Sequence, residues 1–415
     1  TRSARLSLRG FTRDRWRTGR LGEAPMWIGW SRCRRSLRRA TVHSRSLSSP
    51  QNRRCCDAVL FTGGRAMKVV TLVPFRNEVG CIPPLMSAAH SFSDEVLGFD
   101  DGSTDGSAEL FTRLGGKLVA KGNRPERRAQ GSWQLLGGEE KVRNALLIAG
   151  RKEGGTHFVV IDADEMPSVR LGSEIRHRLQ NLAKGEKLAA KWILTWDKLR
   201  TYRSRKLLHE PFYKDFAFRD DGVAHYSSHS IHFGRTPGPN RPGSTRFLDT
   251  DSVLLHFQYL DFERAVLKQL WYQLIDMSLS HLGWRHVNLR YRSTFTLRPA
   301  QSGVIPDRWL DGLPTDELLA REHLTSSRIA RDELKFNIMQ MLNQQNLPDV
   351  EKLGIWRVPA LNSLFREAIG REPAPVDVRL VEELAADLRA RWIQSRNSRV
   401  GCGKTRLTFG LGPKL

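Results

Sequence analysis

Only five cysteines occur in the 415 residues: Cys33, Cys55, Cys56, Cys81 and Cys402, with no C-x-x-C pair. That spacing excludes a disulfide framework and a cysteine zinc site, and it fits a reducing compartment. No apolar run approaches the ~18–20 residues that cross a bilayer. A P-loop is missing too. Residues 401–405 read GCGKT, but Ser398 stands where the first glycine belongs and no strand pattern precedes it. An EF-hand register from Asp101 puts Thr112 at position twelve, and one from Asp100 puts Gly102 at position three, so neither works. Acidic residues are scarce at both ends. Residues 1–66 hold 16 arginines, no lysine and three acids, and residues 391–415 hold six basic residues and no acid. Of the net charge of +23, the stretch between keeps only +4. The basicity therefore belongs to the ends, and it implies no specific nucleic-acid partner for the core.

What remains is an ordinary globular composition, 40% hydrophobic and 27% charged. Residues 1–66 show no helical or strand period. A basic tail, an arginine-rich transit peptide and sequence upstream of the native start all suit them. The last is favoured, because the composition changes at Met67, directly before the first strand pattern. The expected division is residues 1–66 as a basic extension, 67–258 as an α/β domain, 259–395 as a helical region and 396–415 as a basic tail.

From Met67, strand and helix patterns alternate, which implies a largely parallel sheet. Strands are expected at 68–73, 95–99, 117–120, 158–161 and 187–196. Helices are expected at about 83–91, 107–114, 138–150 and 261–280, then near 315–345, 349–370 and 376–395. Residues 199–252 read as irregular.

Three strand ends carry chemistry. The first strand runs into PFRNEVG. The second ends in DDGSTDGS (residues 100–107), where glycines allow a tight turn and Ser103 or Asp105 can cap the next helix. The fourth reads HFVVIDAD (residues 157–164). Side chains alternate along a strand, so Asp162 and Asp164 project to one side of its carboxyl end. Like charges so placed need something positive between them, and a hard divalent cation bound to phosphate is an economical answer. A solvated turn is the plainer reading of either motif alone.

Together the motifs resemble the family 2 glycosyltransferases, which have the GT-A fold. P-x-x-N-E at residues 74–78, D-D-G-S-x-D-G at 100–106, Arg143–Asn144 on a helix and D-x-D at 162–164 occur in the family's order. The likeness is strong over 67–200. HFQYLDFERAVLKQLWYQ, from residue 256, extends it to about 310 with a bacterial family 2-like subgroup. The resemblance implies a mixed GT-A sheet, a Rossmann-like nucleotide-diphospho-sugar transferase core, followed by helices. It implies that Pro74, Phe75 and Glu78 border the donor nucleotide, that Asp101 holds the base, and that Arg143 and Asn144 support the phosphates. Asp162 would lie at the donor ribose and sugar and also belong to the metal site. Asp164 would bind Mg²⁺ or Mn²⁺, with His256 as a further ligand.

Direct displacement with inversion needs a base for the acceptor hydroxyl. The family's downstream Glu-Asp pair is missing here. Asp221, with Asp220 beside it, is the candidate chosen, because Gly222 suggests a presenting turn. Asp215, Asp249 and Asp251 are further options, and a surface turn is an equal reading. His232 and Arg235 could touch diphosphate or acceptor. Trp192, Trp196, Tyr202, Phe212 and Tyr213 could form an acceptor platform or simply core. On residues 261–280, Glu263, Arg264, Lys268 and Gln269 are expected to face outward or line a groove.

The expected activity is metal-dependent, inverting sugar transfer from a nucleotide-sugar such as a UDP-sugar to a glycan, lipid-linked or small-molecule acceptor. The expected place is the cytoplasm, or peripherally the inner face of the membrane. A nucleotidyltransferase would want a glycine-rich, basic loop after the first strand, where PFRNEVG offers only Arg76. A polyanion-binding protein would act through its basic ends.

Overall fold

The computed structural model describes residues 66–122, 139–196, 198–203, 213–227, 234–238, 244–279, 282–295, 302–320, 325–344 and 347–375. The expected helix at 376–395, the basic extension, and His209, Phe212, His229 and His232 lie outside these residues.

The strands are β1 (Val69–Phe75), β2 (Glu95–Asp100), β3 (Lys117–Lys121), β4 (His157–Val160), β5 (Glu165–Pro167), β6 (Lys187–Trp196), β7 (Thr201–Arg203), β8 (Tyr213–Arg219), β9 (Thr245–Phe247), β10 (Val253–His256) and β11 (Ser302–Val304). The helices are α1 (Ile82–Phe92), α2 (Ser107–Arg113), α3 (Glu139–Lys152), α4 (Val169–Gln180), α5 (Phe262–Leu279), α6 (Trp284–Phe295), α7 (Thr315–Leu319), α8 (Thr325–Gln344) and α9 (Pro359–Ile369).

The sheet runs β11-β7-β6-β8-β4-β1-β2-β3. Strands β3, β2, β1 and β4 are mutually parallel. Strand β8 runs antiparallel between β4 and β6, which makes β6 parallel to β4. β10 runs parallel to the upper half of β6 and holds β5 antiparallel. The carboxyl ends of β1, β2, β4, β6 and β10 therefore share one edge. The carboxyl end of β8 lies at the opposite one.

The reason is visible in the residues. β1 and β4 are apolar runs broken only by the buried Thr71 and His157, as suits strands covered on both faces. One face carries α1, through Ile82, Leu85, Met86, Ala89 and Phe92, and α4, through Leu171, Ile175 and Leu179. The other carries α3, through Val142, Leu146 and Leu147. Beyond β10 the chain turns helical. Leu270, Leu274, Ile338, Met341, Trp356 and Phe365 build a separate apolar cluster there. This is the mixed α/β class, with a helical C-terminal region, that the sequence implies. Among the described residues no helix is long and apolar enough to cross a membrane.

Two stretches differ from expectation. Helix α4 was not anticipated, although Leu171, Ile175 and Leu179 repeat at helical spacing and the Ser168 hydroxyl accepts from the Leu171 N–H as a cap. Residues 199–252 contain β7, β8 and β9 rather than only irregular chain.

Candidate active site

At the shared edge, β1 passes through Phe75 into a loop where Asn77 adopts a left-handed φ of 50°. The Asp101 amide donates to the Phe75 carbonyl (2.9 Å), which seats Asp101 beside the end of β1. The Asp101 carboxylate is buried, with an Arg76 guanidinium nitrogen 3.7 Å away. Asn77 wires the two loops together. Its amide donates to Ser103 Oγ (2.9 Å), and its side-chain oxygen accepts from the Thr104 N–H (2.8 Å).

Two strands from β2, past the end of β4, lies a dense charge cluster. Asp162 accepts from Arg143 (3.3 Å) on one oxygen and from Arg235 (2.7 Å) on the other. Burial pushes the Asp162 carboxyl up, but Arg235, then Arg143 and Lys214, outweigh it and hold it well below the usual range. Arg235 also pairs with Glu165, which accepts in turn from the Trp192 indole N–H (2.6 Å). Glu139 holds Arg143 from one helical turn earlier (2.6 Å).

Asp164 lies on the α5 side of the cluster. Its Oδ2 lies 3.3 Å from His256 Nε2 and 3.6 Å from Lys268 Nζ. His256 ends β10, stacks on Trp192 at 4.7 Å, and is wholly enclosed. Burial depresses its imidazole pKa, and Asp164 only partly opposes that. Gln258, Arg264 and Ala265 complete a small hollow with Asp164 and Lys268.

The chemistry of the donors was tested against a divalent cation. Among the described residues no group of three or more His, Cys, Asp or Glu is arranged to hold a metal. Asp164 with His256 offers two donors, and the His256 Nδ1 is buried without a hydrogen-bond partner. That fits a Mg²⁺-like ion that keeps other positions for ligand oxygens and water. Each oxygen of Asp162 already accepts from an arginine.

Several sequence-based assignments need correction. Asp220 and Asp221 follow β8 and lie at the opposite edge, where the Asp220 amide donates to Thr156 O at the start of β4 (3.0 Å). Asp220 takes a two-pronged ion pair from Arg151, and Asp221 accepts from the Val223 and Ala224 amides of its own turn. Neither is a base for this site. Asp249 accepts from the Asp251 and Ser252 amides in the turn before β10 and binds Arg170, and Asp251 binds Arg308. Asp215 is within reach of the Thr236 hydroxyl (3.4 Å) rather than the charge cluster. Glu78 does not offer its carboxylate to a nucleotide; Arg264 binds both of its oxygens (3.0 and 2.6 Å). Asn144 clips the Tyr226 backbone in both directions. Pro74 and Phe75 belong to β1, which runs two residues past the expected strand end. Glu165 and Lys214 were missed, while Arg264 and Lys268 line a hollow, the second of the two placements expected for them. The helical period alone does not say which polar side of α5 meets the sheet.

No family model matches the sequence, and no curated protein does. Among solved structures, the chain is similar to glucosyl-3-phosphoglycerate synthase from Mycobacterium tuberculosis, solved with Mn²⁺, UDP and glucosyl-3-phosphoglycerate. Identity is 19% over 31% of this chain and 44% of that one, with a TM-score of 0.24. Mannosyl-3-phosphoglycerate synthase from Rubrobacter xylanophilus matches at 18% identity over 31% and 41%, with a TM-score of 0.23. TarS of S. aureus matches at 13% over 69% and 83%, with a TM-score of 0.27. The match thus spans less than half the length of the two synthases. Likenesses this loose carry no activity from one chain to another.

Proposed function

We propose that this protein is a glycosyltransferase that moves a sugar from a nucleotide-sugar donor to a hydroxyl of a glycan, lipid-linked or small-molecule acceptor. One observation carries the reading. Asp101 ends β2 and the Asp162–Asp164 cluster follows β4, on either side of β1, at the carboxyl edge where open α/β sheets bind ligands. Two strand spacings separate them, about 10 Å. A base held at Asp101 and a diphosphate at the charge cluster suit that separation, with the ribose between.

Four carboxylates (Glu139, Asp162, Asp164, Glu165) face four cations (Arg143, Lys214, Arg235, Lys268). A diphosphate adds negative charge to this near-balance, so it suits entry together with a cation. Asp164 and His256 would hold Mg²⁺ or Mn²⁺, which supplies Lewis-acid stabilisation of the leaving diphosphate. Lys268, on the rim of the same hollow, adds a fixed positive charge where negative charge develops as the sugar–phosphate bond breaks. Arg143 and Arg235 keep Asp162 ionised and in place. Inversion by direct attack of the acceptor oxygen is part of the proposal. UDP-sugars are the donors to try first, and the cytoplasmic or membrane-peripheral location belongs to the same proposal.

Donor hydrolysis by Asp164→Asn, assayed with Mn²⁺ and with Mg²⁺, tests it. The expected loss is about 100-fold or more. Full retained activity would overturn the assignment.

A further inference from the structure

Between β10 and α5 the chain makes a turn that is tied to the metal-side aspartate. The Phe257 amide donates to the Asp164 carbonyl (2.8 Å), and the Leu260 amide donates to the Phe257 carbonyl (3.0 Å). On the sheet side, the Thr195 hydroxyl donates to the His256 carbonyl (3.0 Å). This turn carries Gln258 into the hollow that Asp164, Arg264, Ala265 and Lys268 also line. The Gln258 Nε2 is buried and meets no hydrogen-bond acceptor among the described residues. A buried amide donor left unmatched is costly, and folded proteins rarely keep one without a use for it.

We propose that Gln258 binds the donor: its Nε2 donates a hydrogen bond to the distal phosphate of the diphosphate. The inference rests on the glycosyltransferase reading of this site. The company Gln258 keeps names the acceptor. Lys268 brings an ammonium to the same hollow, 3.6 Å from Asp164. An oxygen that draws an ammonium and an amide together, beside the aspartate and histidine suited to a divalent ion, is an anionic one with several lone pairs. A phosphate oxygen meets that description better than a sugar hydroxyl. Arg264 gives both terminal nitrogens to Glu78 (3.0 and 2.6 Å), which holds that wall of the hollow in place. Gln258 is neutral, so it adds a hydrogen bond without altering the balance of charge around Asp162 and Asp164.

The test uses the full chain with Mn²⁺. The common nucleoside diphosphates are screened by titration calorimetry, and the best binder is compared with its own monophosphate, which lacks the distal phosphate. Gln258→Met keeps the length of the side chain and removes the donor. It is expected to weaken the diphosphate about tenfold, the size of one hydrogen bond to a charged group, and to leave the monophosphate within about twofold. Gln258→Asn keeps an amide but falls one methylene short. It is expected to show the same selective loss, and it serves in place of Gln258→Met if that variant does not fold. Equal weakening of both nucleotides, with a lower melting temperature, assigns Gln258 a structural role and overturns the inference. Unchanged diphosphate affinity in both variants also overturns it, and leaves the site reading intact if Asp164→Asn still abolishes the Mn²⁺ dependence. No nucleoside diphosphate binding by the unaltered protein overturns both.

Discussion

Arg235 is the residue on which the charge cluster turns. It is 1% exposed at the side chain and stands between Asp162 and Glu165. Taking the guanidinium away leaves two carboxylates facing each other, which costs about 3–5 kcal/mol for a buried pair so broken. Arg235→Gln is therefore expected to lose that much in chemical denaturation. Arg235→Lys should recover only part, since an ammonium lacks the planar fork. A second residue sets acid stability. Burial pushes the His157 imidazole from 6.5 down to about 4, and Arg219 pushes the same way. The folded state thus binds this proton less readily than the unfolded chain. The contribution is full above pH 6.5 and is lost as pH falls toward 4. Stability should drop by on the order of 1–2 kcal/mol over that window from this group, allowing for partial screening by solvent. Melting curves of His157→Gln should be flatter there than those of the unaltered protein. At this scale the placement of Asp101, Asp162 and Asp164 just past strand ends was legible, because an apolar run closing on paired carboxylates is a local signal. Arg235 lies 73 residues from Asp162 in sequence, and such a pairing leaves no local trace. Asp221 was misplaced for a similar reason: a turn after a strand looks the same at either edge of a sheet.

Among elements, β2 and α2 show how packing sets the donor loop. Gly98 sits mid-strand where an added Cβ would meet Phe111 at 2.5 Å and Phe75 at 2.9 Å. Gly98→Ala forces those rings aside, at about 1–3 kcal/mol. Phe75 supplies the carbonyl that seats Asp101, so nucleoside diphosphate affinity should fall along with the denaturation midpoint. A variant that loses stability and keeps full affinity would separate the two. Strands β1, β2, β4 and β6 were readable from the sequence, since apolar runs between turn signals have few alternatives. β8 was not. YKDFAFR alternates only weakly, and its place comes from pairing with β4 and β6, which are far from it in sequence. Helix α5 was readable as a helix but not in its polar contacts. Arg264 to Glu78 and Lys268 to Asp164 turn its polar side into a wall of the site.

For the whole molecule, the helical region is part of the site rather than an appendage. Helix α8 packs on α5 through Ile338 and Met341, and it delivers Glu333 to the donor loops. A chain ending at residue 314 exposes the apolar face of α5 at Val266, Leu270 and Leu274, and is expected to aggregate. A chain beginning at Met67 drops most of the excess positive charge. It is expected to keep nucleotide binding and to lose salt-sensitive binding to polyanions.

The central claim is a nucleoside diphosphate bound between Asp101 and Asp164 at the carboxyl edge of the sheet. Titration calorimetry with the common nucleoside diphosphates, with and without Mn²⁺, measures it directly. The account predicts saturable binding that strengthens with Mn²⁺, falls at least about tenfold in Asp101→Asn, and loses its Mn²⁺ dependence in Asp164→Asn. No binding by the unaltered protein, or equal binding by all three proteins, would contradict it.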